Sequence, residues 1–253
     1  MDYFVDSHCH MHDTEFYSPE EQTLLLDRAY KANVQKMIFI GTDYKDSFNA
    51  RDFALKNDKK REHLFWSFGI HPNEHNKPHR TPDFSSDKPI AIGEVGLDYH
   101  YGSSDKEEQF KLLNEMCQLA LDNNLPLIFH VREAFDDFLG LTSNFPNLRG
   151  VVHSFTDKKK YLKESLEHGF YIGVNGLATY STLPLPPLDR TLIETDAPFL
   201  APRGHRGETN ESSFVPEIGA WLAEKHNVSI KEVMKTTTKN CFELFRFDES
   251  RNF

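Results

Sequence analysis

Cysteine is scarce and scattered in this 253-residue chain: Cys9, Cys117 and Cys241 are odd in number and form no Cys-x-x-Cys pair. That excludes a disulfide framework and a cysteine zinc knuckle as organising features. No apolar run approaches the roughly 18 residues of a membrane span, and Tyr3-Phe4-Val5 follows no basic segment or signal core. A cytoplasmic protein with reduced thiols and no membrane partner is the expectation. Excess positive charge is missing too, since 29 Lys+Arg against 39 Asp+Glu leave −10. This argues against a broad basic face wrapping duplex DNA, because that affinity comes mostly from Lys and Arg neutralising phosphates. Internal repeats and low-complexity tracts are absent, and nothing points to an obligate protein partner. With 38% hydrophobic and 27% charged residues the chain is expected to fold as one globular domain over 1–253.

What is present in excess is histidine, thirteen in all. Where they fall depends on the strands. Short apolar runs rich in Val, Ile and Phe recur at Tyr3–Val5, Met37–Ile40, Leu64–Ile70, Ile90–Val95, Leu125–Phe129, Val151–Val152, Phe170–Val174 and Thr191–Ile193. Near-continuous apolarity means both faces are covered, as in parallel sheets. Helical periodicity lies between them, over about 20–33, 46–57, 133–143, 157–167 and 213–226. Ser104 with Glu107 reads as a capping box for a long helix carrying Phe110, Leu113, Cys117, Ala120 and Leu121, and Ser229 with Glu232 caps a final helix. Eight βα units predict a closed (β/α)8 TIM barrel. Prolines break the pattern at 72–89 and 176–189, which read as irregular loops.

In such a barrel the carboxyl ends of the strands converge on one face, where active sites sit. The residues there are His8 and His10, Thr42-Asp43, His71, Glu94 with Asp98, His130, His153, Asn175, and Glu194 with Asp196. His8 and His10 are two residues apart, so strand alternation sends both imidazoles to the lumen and Cys9 to the other side. A single strand histidine is more often a hydrogen-bonded core residue than a ligand. Five histidines and two carboxylates at strand ends are a different matter, and they predict a binuclear metal site. Glu94 is the expected bridge, with two oxygens for two cations about 3.5–4 Å apart. One cation takes His8, His10, Glu94 and Asp196; the other takes Glu94, His130 and His153, with open positions for water or substrate. Asp98 and Glu194 are placed as orienting groups or salt-bridge partners. The remaining histidines, at 12, 63, 75, 79, 100, 168, 205 and 226, read mostly as surface residues, and Cys9 as a small packing residue. Imidazole and carboxylate ligands suit Zn, Mn, Co or Mg and do not select among them.

Several motifs stand in order along the chain: Asp6-Ser7-His8-Cys9-His10, Gly69-Ile70-His71-Pro72, Ile92-Gly93-Glu94-Val95-Gly96-Leu97-Asp98-Tyr99, Pro126-Leu127-Ile128-Phe129-His130-Val131-Arg132, Val152-His153-Ser154-Phe155 and Glu194-Thr195-Asp196-Ala197-Pro198-Phe199-Leu200. Together they resemble the TatD family of metal-dependent hydrolases over nearly the whole chain. The resemblance implies a TIM barrel of the metallo-dependent hydrolase superfamily. It implies DNase activity, several members being 3′→5′ exonucleases, and metal ligands at His8, His10, Glu94, His130, His153 and Asp196. It also implies a role in phosphate handling for His71. The chain departs from the family where Asn73 replaces a common histidine and where the segment after strand eight is stretched to Arg206-Gly207-Glu208-Thr209-Asn210-Glu211-Ser212. Such loops decide substrate shape.

The expected reaction is hydrolysis of a DNA phosphodiester by water activated between two divalent cations. Asp196, or Glu194 behind it, is the candidate proton acceptor, and His71 binds a non-bridging oxygen or assists the leaving group. Arg132, Arg203, His205 and Arg206 are candidate phosphate contacts. Two cations add about four positive charges at the reacting group, so a net acidic chain can still bind nucleic acid locally, at strand ends or short single strands. One alternative is a metallohydrolase for another bond, such as the ester of a misacylated tRNA, a lactone, an amide or a phosphotriester. Another is a non-catalytic binding or scaffold barrel, which would have no need of six chelators on one face.

Overall fold

The computed structural model describes residues 2–60, 62–80, 82–85, 87–100 and 105–247. Eight parallel strands follow one another in chain order: β1 (Phe4–Cys9), β2 (Val34–Phe39), β3 (Leu64–Phe68), β4 (Ala91–Asp98), β5 (Leu127–Arg132), β6 (Gly150–Val152), β7 (Tyr171–Val174) and β8 (Thr191–Ile193). The ring closes just past β8, where Cys9 bridges Ala197, His10 N–H donates to the Ala197 carbonyl at 2.8 Å and Asp196 N–H donates to the His8 carbonyl at 2.9 Å. Closure therefore runs through the segments that carry the candidate ligands His8, His10 and Asp196. This is the expected (β/α)8 architecture.

The helices are α1 (Pro19–Lys31), α2 (Tyr44–Asn57), α3 (Lys106–Asp122), α4 (Phe135–Thr142), α5 (Lys159–Glu167), α6 (Val215–His226) and α7 (Ile230–Phe245). Ser229 caps α7 as expected, its hydroxyl accepting the Glu232 N–H at 3.1 Å. The capping box expected from Ser104 falls outside the described residues; Asp105 occupies the N-cap of α3 and makes no side-chain cap bond. The two proline-broken stretches contain only the 3₁₀ turns Pro72–Glu74, Gly176–Thr179 and Leu188–Arg190 among the described residues. No helix there is long and apolar enough to cross a membrane.

Strand alternation divides the apolar residues into two layers. Val5, Ile38, Phe65, Ala91, Ile128, Val151, Tyr171 and Leu192, one from each strand, form the inner cluster, and Cys241, Leu244 and Phe245 of α7 join them with Phe247. These fill the lumen and its amino-terminal mouth, so the barrel is a packed core. Phe39, Trp66, Phe129 and Ile172 point outward, against the helices.

Strict alternation would continue apolar filling upward, but beyond Val5 and Ala91 the phase slips on both β1 and β4. Pairing is irregular between Asp6 and Cys9 on β1 and between Ile92 and Val95 on β4. Each slip turns a ligand-bearing segment into the lumen, so that Cys9 and Val95 pack outside while His8 and Glu94 face in. Gly96 sits where β4 presses on β5: its φ is +156°, and a Cβ there would come within 1.8 Å of the His130 carbonyl oxygen. Only glycine fits that approach.

Candidate metal centre

The apolar runs understate β1, β4 and β5. These strands continue to Cys9, Asp98 and Arg132, so His8, Glu94 and His130 lie on strands and not just beyond them. The backbone ladder persists after side chains turn polar, because its hydrogen bonds are indifferent to side-chain type. The strand ends open into a cleft of about 800 Å³ whose wall includes His10, His71, Glu94, His130, His153 and Asp196.

The centre is built around Glu94, which is buried. Its Oε2 faces His8 Nε2 at 3.5 Å and His10 Nε2 at 3.9 Å, while its Oε1 faces His130 Nδ1 at 2.8 Å and His153 Nε2 at 2.9 Å. One carboxylate oxygen thus serves the β1 pair and the other serves the β5–β6 pair. Asp196 Oδ1 stands 3.5 Å from both His8 Nε2 and His10 Nε2. Asp196 itself is held at φ +58°, a conformation uncommon outside glycine that marks functional turns.

Hydrogen bonds behind the rings of His10 and His130 fix which nitrogen each turns to the centre. The Ile40 carbonyl accepts from His10 Nδ1 at 3.0 Å, leaving His10 Nε2 with its lone pair toward the cleft. Asp98 Oδ2 accepts from His130 Nε2 at 3.2 Å, so His130 Nδ1, 2.8 Å from Glu94 Oε1, is the nitrogen turned to the centre. Glu194 Oε1 lies 3.7 Å from His153 Nδ1 on the side away from Glu94. Carboxylate and carbonyl partners of this kind orient metal-binding imidazoles and raise their basicity. His71 is different in kind. Its Nδ1 accepts the Asn73 N–H at 3.1 Å, so Nε2, 3.6 Å from Glu94 Oε1, carries the hydrogen. His71 therefore presents a donor to the cleft, and its closeness to Asp98 and His130 is a hydrogen-bonding arrangement, not a third ligand set.

The donor set fits divalent cations. His8 Nε2 and His10 Nε2 are 3.2 Å apart, and His130 Nδ1 and His153 Nε2 are 3.3 Å apart. Nitrogen pairs this close, each facing a carboxylate oxygen, are accommodated either by protons shared with Glu94 and Asp196 or by a cation that both lone pairs meet. Ligand atoms at about 2.1 Å from one tetrahedral centre stand about 3.4 Å from each other, the spacing seen among His8, His10 and Asp196.

The charge pattern agrees. Burial would raise the Glu94 carboxyl, but His153 and His130 hold it well below the usual range, and Asp196 is likewise lowered against its burial by His10 and His8. Burial works to lower His10, His130 and His153, yet the carboxylates outweigh it: Asp196 raises His10, Asp98 and Glu94 raise His130, and Glu94 and Glu194 raise His153 well above the ordinary value. Burial and the neighbouring His153 lower His8; burial and His130 push His71 down to about 3.

Some expected site residues are elsewhere. Arg132 lines the cleft, but Arg203 lines a separate cavity with Thr179 and Trp221. His205 is stacked on Phe214 and bonded to Glu208 and Glu217, and Arg206 lies over the Tyr180 ring. The fold thus directs Arg203, His205 and Arg206 away from the cleft wall. Glu194 is fully buried, bonded to the Ser154 N–H at 2.6 Å, and stands behind His153 without reaching the cleft. His12, expected at the surface, is buried and paired with Asp46 at 3.0 Å. Asn73 was visible in the sequence only as a departure from the family; its amide also donates to Asp98 Oδ2 at 3.2 Å.

A barrel of parallel strands with imidazoles and carboxylates gathered at its carboxyl face is a metal-dependent hydrolase. The profile of the family described as TatD related DNase matches residues 5–246. The uncharacterized metal-dependent hydrolase YcfH of Escherichia coli K12 is 30% identical, with 98% of each chain covered. The 3′-5′ ssDNA/RNA exonuclease TatD of Erwinia billingiae is 31% identical over 92% of this chain and 95% of its own. The crystal structure of YjjV, a TatD homologue from Escherichia coli K12, superposes with a TM-score of 0.83 at 27% identity, covering 96% of this chain and 98% of that one. The chain belongs to the TatD family.

Proposed function

We propose that the chain hydrolyses phosphodiester bonds of DNA, as a TatD-type deoxyribonuclease trimming single strands or ends from the 3′ side. The observation that carries this is the division of Glu94, one oxygen to His8 and His10 and the other to His130 and His153. That is the arrangement for two cations flanking one phosphate. The relationship to the 3′-5′ ssDNA/RNA exonuclease TatD of Erwinia billingiae supports the substrate class.

In this reading His8, His10, Glu94 and Asp196 hold one cation and Glu94, His130 and His153 the other. The pair, when bound, supplies charge neutralisation at the phosphate and makes a water acidic enough to lose its proton near neutral pH. Asp196 is the acceptor of that proton: its carboxylate is kept ionised and reaches the cleft, whereas Glu194 is enclosed behind His153. His71 donates from Nε2 to a non-bridging oxygen and, being held neutral, acts as a hydrogen-bond donor and not as a proton reservoir for the leaving group. Arg132, on the β5 side of the cleft, contacts a neighbouring phosphate.

The test is metal analysis of the purified protein together with end-labelled single- and double-stranded DNA, with and without chelator, comparing wild type with Glu94→Ala. Metal-dependent shortening from the 3′ end that Glu94→Ala abolishes is expected. Equal degradation by both proteins would mean a contaminating nuclease, and no cleavage with any divalent ion would remove the reading.

A further inference from the structure

Phe16 and Phe199 stand 50% and 47% exposed in the wall of the metal cleft. Their rings meet edge to face, with centroids 5.3 Å apart and planes at 85°. Large apolar side chains left open together in the wall of a cleft mark a binding surface.

Both are fixed to the metal centre by short backbone links. Phe199 N–H donates to the Asp196 carbonyl at 2.8 Å, and the links Asp13 N–H to His10 O at 3.0 Å and Tyr17 N–H to Asp13 O at 3.1 Å carry the chain from His10 past Phe16. Asn210 braces the two from behind. Its amide donates to the Phe199 carbonyl at 2.6 Å, and its carbonyl accepts from the hydroxyl of buried Tyr17 at 3.0 Å. The rings thus belong to the His10 and Asp196 side of the cleft, while Arg132 belongs to the β5 side.

We propose that Phe16 and Phe199 form a stacking platform for a nucleobase of the substrate strand, adjoining the phosphate held between the cations; this rests on the nucleic-acid reading above. Two perpendicular rings make a corner in which a planar base lies against one face and is bounded by the other ring. A ligand that reaches both corner and centre is aromatic and planar at one end and an anionic diester at the other, which describes a nucleotide. A paired base within a duplex has both faces covered by its neighbours, so the corner selects single strands and frayed ends.

The test uses the metal-loaded protein and a single-stranded oligonucleotide, with phosphorothioate linkages for binding and without them for turnover. Phe16→Ala and Phe199→Ala are expected to raise Kd and KM about 5- to 150-fold, the effect of losing one base–aromatic stack, with kcat little changed. Phe199→Trp is expected to retain tight binding, and unchanged thermal midpoints would show that the variants fold. An abasic nucleotide walked along the strand is expected to cost wild type the same factor at one position, where Phe199→Ala pays nothing further. Unchanged Kd in both alanine variants, or equal losses on intact and abasic strands, overturns the platform. If wild type binds the strand through these rings but cuts none, the nuclease reading falls and the platform stands. If it cuts strands while both alanine variants match it, the platform falls and the nuclease reading stands. If it neither binds nor cuts, both fall.

Discussion

The imidazoles of His8 and His153 lie stacked across the barrel mouth, their centroids 4.1 Å apart and their planes 11° from parallel. One is lowered in proton affinity by burial and by the other's charge, and the other is raised against burial by Glu94. Two stacked cationic rings repel, which is why the two proton affinities move in opposite directions.

In the proposed ligation metal binding expels protons, since it needs lone pairs on His10, His130 and His153, whose carboxylate neighbours favour the protonated rings. Affinity is expected to weaken as pH falls, and calorimetry in buffers of different ionisation heat is expected to show proton release near pH 7. Identical heats in every buffer would contradict the assignment. The sign for stability follows. In metal-free protein these raised histidines contribute fully below the unfolded value of about 6.5, and the contribution is lost as pH rises through their folded values. Saturating metal removes that dependence and adds about 2.7 kcal/mol at a hundredfold excess over Kd.

Removing Glu94 separates the two imidazole pairs. Glu94→Ala is expected to bind less metal and to lose at least ~10²-fold in kcat, with Glu94→Asp between it and wild type. Full metal content with full turnover in Glu94→Ala would end the bridging role.

Glu194, 3.7 Å behind His153 Nδ1, is proposed to act through that ring. Glu194→Ala is expected to weaken metal binding or activity roughly 10- to 100-fold, seen as a higher metal concentration for half-maximal rate. A loss of kcat at saturating metal with unaltered metal affinity would instead make Glu194 a direct participant.

His71 as a donor predicts a split between metal and rate. His71→Ala is expected to keep its metal content while kcat falls ~10²- to 10³-fold. Loss of one metal equivalent would make His71 a ligand.

Asp46, in the wall of the same cleft and within the field of His10, supplies a pH test on the metal-free protein. Burial raises its carboxyl, but the bond from His12 and the bonds from Thr42 bring it down to about 2. Its contribution to stability is present above the unfolded value near 3.9 and is lost as pH falls toward 2. Asp46→Asn is expected to cost about 1–2 kcal/mol at pH 6, and the gap from wild type in urea midpoint is expected to narrow by pH 3.

The strand ends were legible because their signal is local. Apolar runs leading to His8-Cys9-His10, Glu94, His130, His153 and Asp196 mark the strand ends, a closed ring gathers those ends at one rim, and the structure brings all six ligand candidates together; the phase slips on β1 and β4 that turn His8 and Glu94 inward leave no trace in the apolar pattern. The arginine-containing loop after β8 was not legible in the same way. Asn210 N–H bonds the Pro198 carbonyl at 3.0 Å and its amide bonds the Thr195 carbonyl at 2.7 Å, folding this segment so that Arg203, His205 and Arg206 leave the cleft. Those bonds span up to fifteen residues and leave no periodic trace. His12 misled for a similar reason, its partner Asp46 being 34 positions away.

By itself the sequence determined the barrel, through the order and apolarity of its strands, and the chemical kinds of group at the carboxyl face. Only the tertiary structure decided which ring nitrogen each histidine offers and where the aromatic corner stands. Donor type belongs to the residue. A tautomer is chosen by whatever lies behind the ring, and in this protein those partners, Ile40 for His10, Asp98 for His130 and Asn73 for His71, arrive by packing and by local turns that no spacing of histidines encodes.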